Sequence, residues 1–478
     1  MTYVVPFIIR ALYVLFAPEM PSETCIMCYG RRMKKLAIIG GGAAGLSAAI
    51  AAGKQFRESF GSDALTHTAI TIYEAADRVG KSILVTGNGR CNFTNEHLDL
   101  WRYHNSDFVR DVYDALDERT YAPHVPDGPK KEEGFSPVTD FFEELGMDWW
   151  QEEDGRRFPL ANKASVVVDV LRAAASVFGV KEACGCAVKS IEAPREEGKP
   201  YTLRMADGRF ERADAIIIAC GGRALESVDL SAFDGLRILD LKPMLGPLRV
   251  TKDYIPIVRE LDNIRVKCNV ILMRQEDENT MGCIGSESGE ILFRKYGVSG
   301  ICVFNLSRIA EPGDELNVDF FDLGHHEWAA DVIRNRARTA EKLLGRTPTC
   351  ADVLRGFLLP RVVDAVLKPI GISPDDLCAP DDEEMIGDLG TRLTFFSLKI
   401  EGIGDSNLCQ VRRGGIDVTC VSARTLAVYG QAGLFAAGEA LDVDGPCGGY
   451  NLHWAWSSGL LAGQCAAIEL IGSGEAHD

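Results

Sequence analysis

Gly40, Gly42 and Gly45 are spaced as GxGxxG, directly after the apolar run 36–39 and at the head of a small-residue stretch, 43–52. Each glycine has its own task. The first permits a tight turn, the second lets backbone approach a diphosphate, and the third lets helix pack on strand. Ala43 and Ala44 keep the helix start small, and its N-terminal amides then face the anion. A second β-branched run, 69–73, ends in Glu74 and Ala75. An acid there accepts hydrogen bonds from a ribose diol and repels a 2′-phosphate. This is the chemistry of an adenine dinucleotide. No second GxGxxG follows a strand. The turn at 219–222 is a partial echo, in which Gly221 either touches the same cofactor or ends a strand.

A second glycine-rich stretch, 433–463, lies about 400 residues further on. It too reads as buried strand, tight turn and helix start. Glu439 and Asp442 follow its strand, placed to bind ribityl hydroxyls or simply to cap the strand end. Gly448, Gly449, Tyr450 and Asn451 precede the last helix. Amides there would face the pyrimidine end of a flavin and stabilise the anionic reduced ring. The two stretches therefore read as halves of one FAD site. Between them lies Thr86-Gly87-Asn88-Gly89-Arg90-Cys91-Asn92, whose amides and small polar groups suit the ring and ribityl chain. Arg90 pairs either with a phosphate or with an internal carboxylate. Cys91 would need a lowered pKa or a resolving partner to act as a redox thiol. No partner lies nearby in sequence, so a spectator role is expected. His453, in the first turn of the last helix, is either a proton donor to substrate or a packing residue.

These residues need a frame. The order of strand, small-residue helix and strand at the start predicts a doubly wound parallel sheet, a Rossmann-like α/β fold. The run 215–220 is a further strand expected to rejoin it. Between 244 and 320, short alternating runs predict an antiparallel β-barrel or sandwich. Residues 326–391 read as helical, with Pro360 and Pro369 as breaks. The expected division is an extension at 1–33, an FAD-binding part at 34–243, a barrel at 244–324, a small helical domain at 325–395 and the remainder of the FAD-binding domain at 396–478.

Composition narrows the partners. The net charge of −18 argues against nucleic acid, which needs Lys and Arg in excess. Fifteen cysteines without regular spacing fit a reducing cytoplasm better than a disulfide framework. One CxxC (Cys25, Cys28) and one CxC (Cys184, Cys186) lack partner pairs, so no metal is expected. The apolar run 4–17, interrupted by Arg10, is too short to span a bilayer comfortably. It reads as an upstream extension or as an amphipathic membrane-surface helix. Oligomeric state is left open.

Residues 79–95 (VGKSILVTGNGRCNFTN), with GEALDVDG at 438–445 and GGYNL at 448–452, closely resemble the BaiN-like, aminoacetone-oxidase-type NAD(P)/FAD-dependent oxidoreductases. Supporting matches are GRRFP at 155–159, FRKYGVSG at 293–300 and FLLPR at 357–361. The resemblance spans about residues 34–472. It implies FAD held by a domain built from both chain ends, with an inserted β-barrel and helical domain. It further implies hydride passing from NADH or NADPH via flavin N5 to a small unsaturated or conjugated-carbonyl substrate, bile-acid-like in some members. The chain departs from the family pattern at three places. It reads Arg223-Ala-Leu-Glu-Ser after the 215–220 strand, Arg294-Lys295 where the family has Thr-His, and Arg412-Arg413 where it has Thr-Ala. If Arg294, Lys295, Arg412 and Arg413 converge, they would bind a substrate carboxylate or phosphate. A non-catalytic flavin sensor and a flavin-dependent RNA-modifying enzyme are the alternative readings.

Overall fold

The computed structural model describes residues 32–121, 136–321 and 329–472, apart from 195, 197 and 279. The run 4–17, Cys25, Cys28, His325 and His326 lie outside the described residues.

Five strands form one parallel sheet in the order Leu434–Ala436, Ala215–Ile218, Lys34–Ile39, Thr68–Glu74, Lys181–Cys184. Ile38, Ile216, Ile217 and Ile218 are fully buried, as expected for strands covered on both faces. The register matters most at one end. Ile39 pairs with Ile218, and Ile218 pairs with Ala436. Three adjacent strands therefore end level, and Gly40, Gly221 and Gly438 follow them. Crevices outside the carboxyl ends of such strands are where ligands bind in this architecture.

Two long helices cross over this sheet, Ala43–Phe60 and Tyr450–Gly472. Their contact is backbone on backbone. A Cβ at Gly459 would lie 2.4 Å from the Ala44 carbonyl oxygen, and one at Gly463 would lie 2.2 Å from that of Ala48. Only glycine lets the two ends of the chain pack this closely.

The structure differs from the sequence expectation at particular elements. The first helix does not stop near 52 but runs to Phe60, because Phe56 turns into the core with 1% exposure. A 3-10 turn, Gly61–Asp63, and a short helix, Ala64–His67, then lead into the strand Thr68–Glu74. Lys181–Cys184 is a parallel edge strand that the sequence reading missed.

Six strands close into a barrel in the order Leu248–Val250, Gly297–Ser299, Met281–Arg294, Arg265–Gln275, Glu315–Asp319, Phe396–Ile403. The last of these corrects the expected boundary at 396. Phe396–Ile403 pairs with both Leu248–Val250 and Glu315–Asp319, so it belongs to the barrel. Helices Ala329–Leu344, Cys350–Leu354, Pro360–Leu367 and Glu383–Thr394 share the barrel's hydrophobic core rather than building their own. The Rossmann part has a separate core. An antiparallel ribbon of Ile238–Met244 and Val411–Ile416 leads between the two.

Candidate functional site

The first turn is held by glycine for reasons visible in the coordinates. Gly40 has φ +103°, and a Cβ there would sit 2.5 Å from the Ala219 carbonyl oxygen. A Cβ on Gly45 would sit 1.9 Å from the Gly40 carbonyl oxygen. Gly42 is different: the nearest atom to its Cβ position is Ser82 Oγ, at 3.3 Å. It caps an 18-residue helix that has no side-chain cap, so its first-turn amides are left for a ligand. Glu74 stitches the turn, with Oε2 accepting from the Gly41 N–H and Oε1 from the Ala76 N–H, both at 2.7 Å. A carboxylate accepts about four hydrogen bonds, so capacity remains for ribose hydroxyls.

The second stretch comes directly against the first. A Cβ at Gly438 would lie 2.8 Å from the Ala44 Cβ. The Gly438 N–H donates to Ser458 Oγ at 2.9 Å, and Trp454 Nε1 donates to the Gly438 carbonyl at 3.1 Å. The segment 86–92 joins them. Gly87, Asn88, Gly89 and Cys91 all adopt positive φ (54°, 56°, 80° and 59°), which coils this segment into a tight loop. Oriented to satisfy its surroundings, the Asn92 amide donates to the carbonyls of Arg157 and Thr94 and accepts from the Gly449 N–H at 3.0 Å. Asn95 Nδ2 donates to the Gly448 carbonyl at 3.0 Å. Gly221 (φ +75°) and Gly448 (φ +111°) have no atom closer than 3.9 Å to their Cβ positions. Bare backbone facing open space at Gly221 and Gly448, beside the uncapped helix N-terminus at Gly42, fits a dinucleotide cradle.

The acids divide into two kinds. Burial pushes the Glu439 carboxyl up to about 7, against the opposing Arg412 N–H and guanidinium, and one of its oxygens accepts the Arg412 N–H at 2.7 Å. Asp442 is buried too, but hydrogen bonds from His104 and the Gly414 N–H overcome that and hold its carboxyl below the usual range. Asn105 Nδ2 donates to the same carboxylate at 3.2 Å and to the Asp442 backbone carbonyl at 2.6 Å. Asp442 thus braces the loop at 104–105, a role nearer to the strand-end cap than to ribityl binding. His104 and Asn105 carry no motif, and the sequence reading missed them.

Other expected site residues turn inward. Arg90 pairs with Glu152 at 3.2 Å and stacks on Phe158, which is the internal-carboxylate alternative. Cys91 is fully buried, its thiol pushed up to about 12 by desolvation. His453 is 5% exposed, with Nδ1 2.6 Å from Thr94 Oγ1 and its ring edge-on to Tyr113, which favours packing over proton donation. Asn451 holds its own loop through Gly445, and the buried Tyr450 hydroxyl accepts from the Asp99 N–H. Thr86 donates to the Ile83 carbonyl.

The four cations have different surroundings. Arg413 is taken up by Asp444, through contacts of 2.7 and 3.0 Å. Arg308, absent from the sequence reading, binds the same carboxylate at 2.6 Å. Asp444 has no exposure, and the two guanidiniums outweigh its burial to hold its carboxyl below the usual range. Arg294 donates to Asn263 in the barrel, and Lys295 is exposed there. Arg294 and Lys295 share no hydrogen-bonding partner with Arg412 and Arg413 among the described residues.

A family model described as the HI0933-like protein Rossmann domain matches residues 34–465. The chain belongs to this family. It is 32% identical over 458 residues to the 3-dehydro-bile acid delta(4,6)-reductase of Clostridium scindens, covering 91% of this chain and 99% of the relative. The resemblance to BaiN-like oxidoreductases holds along most of the chain, and the chain is an oxidoreductase of that group. A ribosomal RNA dihydrouridine synthase of Escherichia coli is 26% identical over 89% of this chain and 96% of its own. Among solved structures, a 3-ketosteroid-delta4-(5alpha)-dehydrogenase from Rhodococcus jostii RHA1 aligns over 92% of this chain and 99% of its own, at 14% identity and a TM-score of 0.41. That score carries no functional argument. Among the described residues no helix is long and apolar enough to cross a membrane.

Proposed function

We propose that this HI0933-like protein is an FAD-dependent reductase that takes hydride from NADH or NADPH and delivers it to an unsaturated or carbonyl-conjugated small molecule. The observation that carries the reading is the contact of Gly438 with Ala44, where turns from opposite ends of the chain meet over level strand ends. FAD, when bound, supplies the two-electron hydride chemistry. The residues supply placement. The amides after Gly42 take the diphosphate, and Glu74 takes the adenosine ribose. Glu439 and the 86–92 loop hold the ribityl and ring end. The N-terminus of Tyr450–Gly472 offers its amides to negative charge on the reduced ring. The Clostridium relative's name supports a steroid-like enone as substrate class.

The purified protein is expected to be yellow, to bleach anaerobically with NADH or NADPH, and to recover its colour with an unsaturated 3-dehydro bile acid. FAD binding without turnover across an acceptor panel would instead make it a flavin-binding sensor. A second reading, flavin-dependent RNA modification, is favoured by the Escherichia relative's name and disfavoured by the net charge of −18. It requires salt-sensitive binding to ribosomal RNA in a filter assay.

A further inference from the structure

Two arginines without an ion pair among the described residues lie close to the second glycine-rich turn. Arg223 lies in the short helix Gly221–Leu225 after the strand Ala215–Ile218, and Arg412 lies on the strand Val411–Ile416. The fold sets the two side by side. A Cβ on Gly222 would lie 2.9 Å from Arg412 Cβ and 3.2 Å from Glu439 Oε1, so glycine at 222 lets Arg412 lie against the turn. The charges of Arg223 and Arg412 both act on the Glu439 carboxyl and on the Cys409 thiol. Gly222, directly before Arg223, lies against Glu439 as well as Arg412, which places the pair beside the second glycine-rich turn. Gly221 next to Arg223 faces open space.

Among the described residues neither guanidinium has a hydrogen bond or an ion pair; Arg412 donates only through its backbone N–H. Other arginines near the cleft are matched: Arg90 with Glu152, Arg157 with Glu96, Arg308 and Arg413 with Asp444. Two like charges held near one another repel, and an oxyanion between them relieves that repulsion through forked hydrogen bonds. The chain has one GxGxxG turn, and in the proposed reading it is taken by FAD. A second dinucleotide has no glycine cradle of its own and must be gripped by side chains.

We infer that Arg223 and Arg412 form a binding site for a phosphate of the nicotinamide dinucleotide that reduces the flavin. This rests on the FAD and NAD(P)H reading above. The phosphate is either the 2′-phosphate, present in NADPH alone, or the diphosphate that both nicotinamides carry.

The test uses the full chain loaded with FAD. FAD stoichiometry is read from flavin absorbance, and binding of NADP⁺ and of NAD⁺ is measured by calorimetry, for wild type and the Arg223→Ala/Arg412→Ala variant. The variant is expected to keep its FAD and to bind dinucleotide about 10- to 100-fold more weakly. Weakening confined to NADP⁺ assigns the 2′-phosphate; weakening of both assigns the diphosphate; either supports the site. Unchanged affinity for both overturns it, as does loss of FAD, which would make the arginines part of the flavin's own cradle. If the alanine pair does not fold, the Arg223→Lys/Arg412→Lys variant is judged by the same criteria, since it loses the fork and keeps the charge. A wild-type protein without FAD brings down both readings. FAD-loaded protein with indifferent variants brings down only this one.

Discussion

At Gly42 and Gly45 the same substitution has opposite meanings. Valine at 45 would drive Cβ into the Gly40 carbonyl at 1.9 Å and break the fold. Valine at 42 meets only Ser82 Oγ at 3.3 Å, in backbone any residue can adopt (φ −82°). Gly42→Val is therefore expected to fold with near wild-type melting temperature as apoprotein and to bind no FAD. Stoichiometric yellow protein would remove the diphosphate from this turn. Glu439 gives a pH signature. With its carboxyl raised to about 7, the folded apoprotein keeps a proton that the unfolded chain releases near the ordinary value of about 4.3. Its contribution to stability is complete below that lower value and is lost as pH rises through about 7. Glu439→Gln should flatten the fall in apoprotein melting temperature between about pH 5 and 8; an unaltered slope would contradict the burial of this acid. Asp442 and Asp444, held low, act in a different window. Their contribution is present above the usual carboxylate range and lost as pH falls below it.

Among the elements, the loop at 442–444 joins more partners than its length suggests. Asp444 accepts from Arg413 on the ribbon strand and from Arg308 after the barrel helix Ile301–Leu306, while Asp442 accepts from His104 and Asn105. Removing the carboxylate strands two guanidiniums that are 10% and 23% exposed. Asp444→Ala should cost about 3–5 kcal/mol in urea unfolding, because breaking a buried pair leaves uncompensated charge; a cost below about 1 kcal/mol would mean that solvent reaches the pair. These long-range partners explain what was legible in the sequence and what was not. Gly40, Gly42 and Gly45 obey local backbone rules, so their turn was readable from spacing alone. Arg413 and Asp444 obey none, since their pairing is created by the fold. Lys181–Cys184 carries the sequence KEAC, and an edge strand that is only half-buried has no apolar run to reveal it. Residues 281–289 are mostly glycine and small polar residues, yet they extend the longest barrel strand because Arg265–Gln275 pairs along them. Phe396–Ile403 alternates visibly, but alternation does not say which sheet a strand joins.

For the whole molecule, the first and last described segments form one structure. The last strand, Leu434–Ala436, pairs with Ala215–Ile218, which in turn pairs with the first, Lys34–Ile39. The last helix lies on the first through Gly459 and Gly463. Everything between 244 and 403 is inserted between strands of one sheet and has its own core. In the proposed reading the cofactor would be a clasp: a ligand held by amides from both stretches would oppose their separation and stabilise the fold by mass action. Hydrogen–deuterium exchange of apoprotein against FAD-reconstituted protein reads both ends in one experiment. Amides at 41–45 and at 448–452 are predicted to slow together, in proportion to FAD bound. Protection at one set alone, with the other exchanging as in the apoprotein, would contradict a cradle shared between the two ends of the chain.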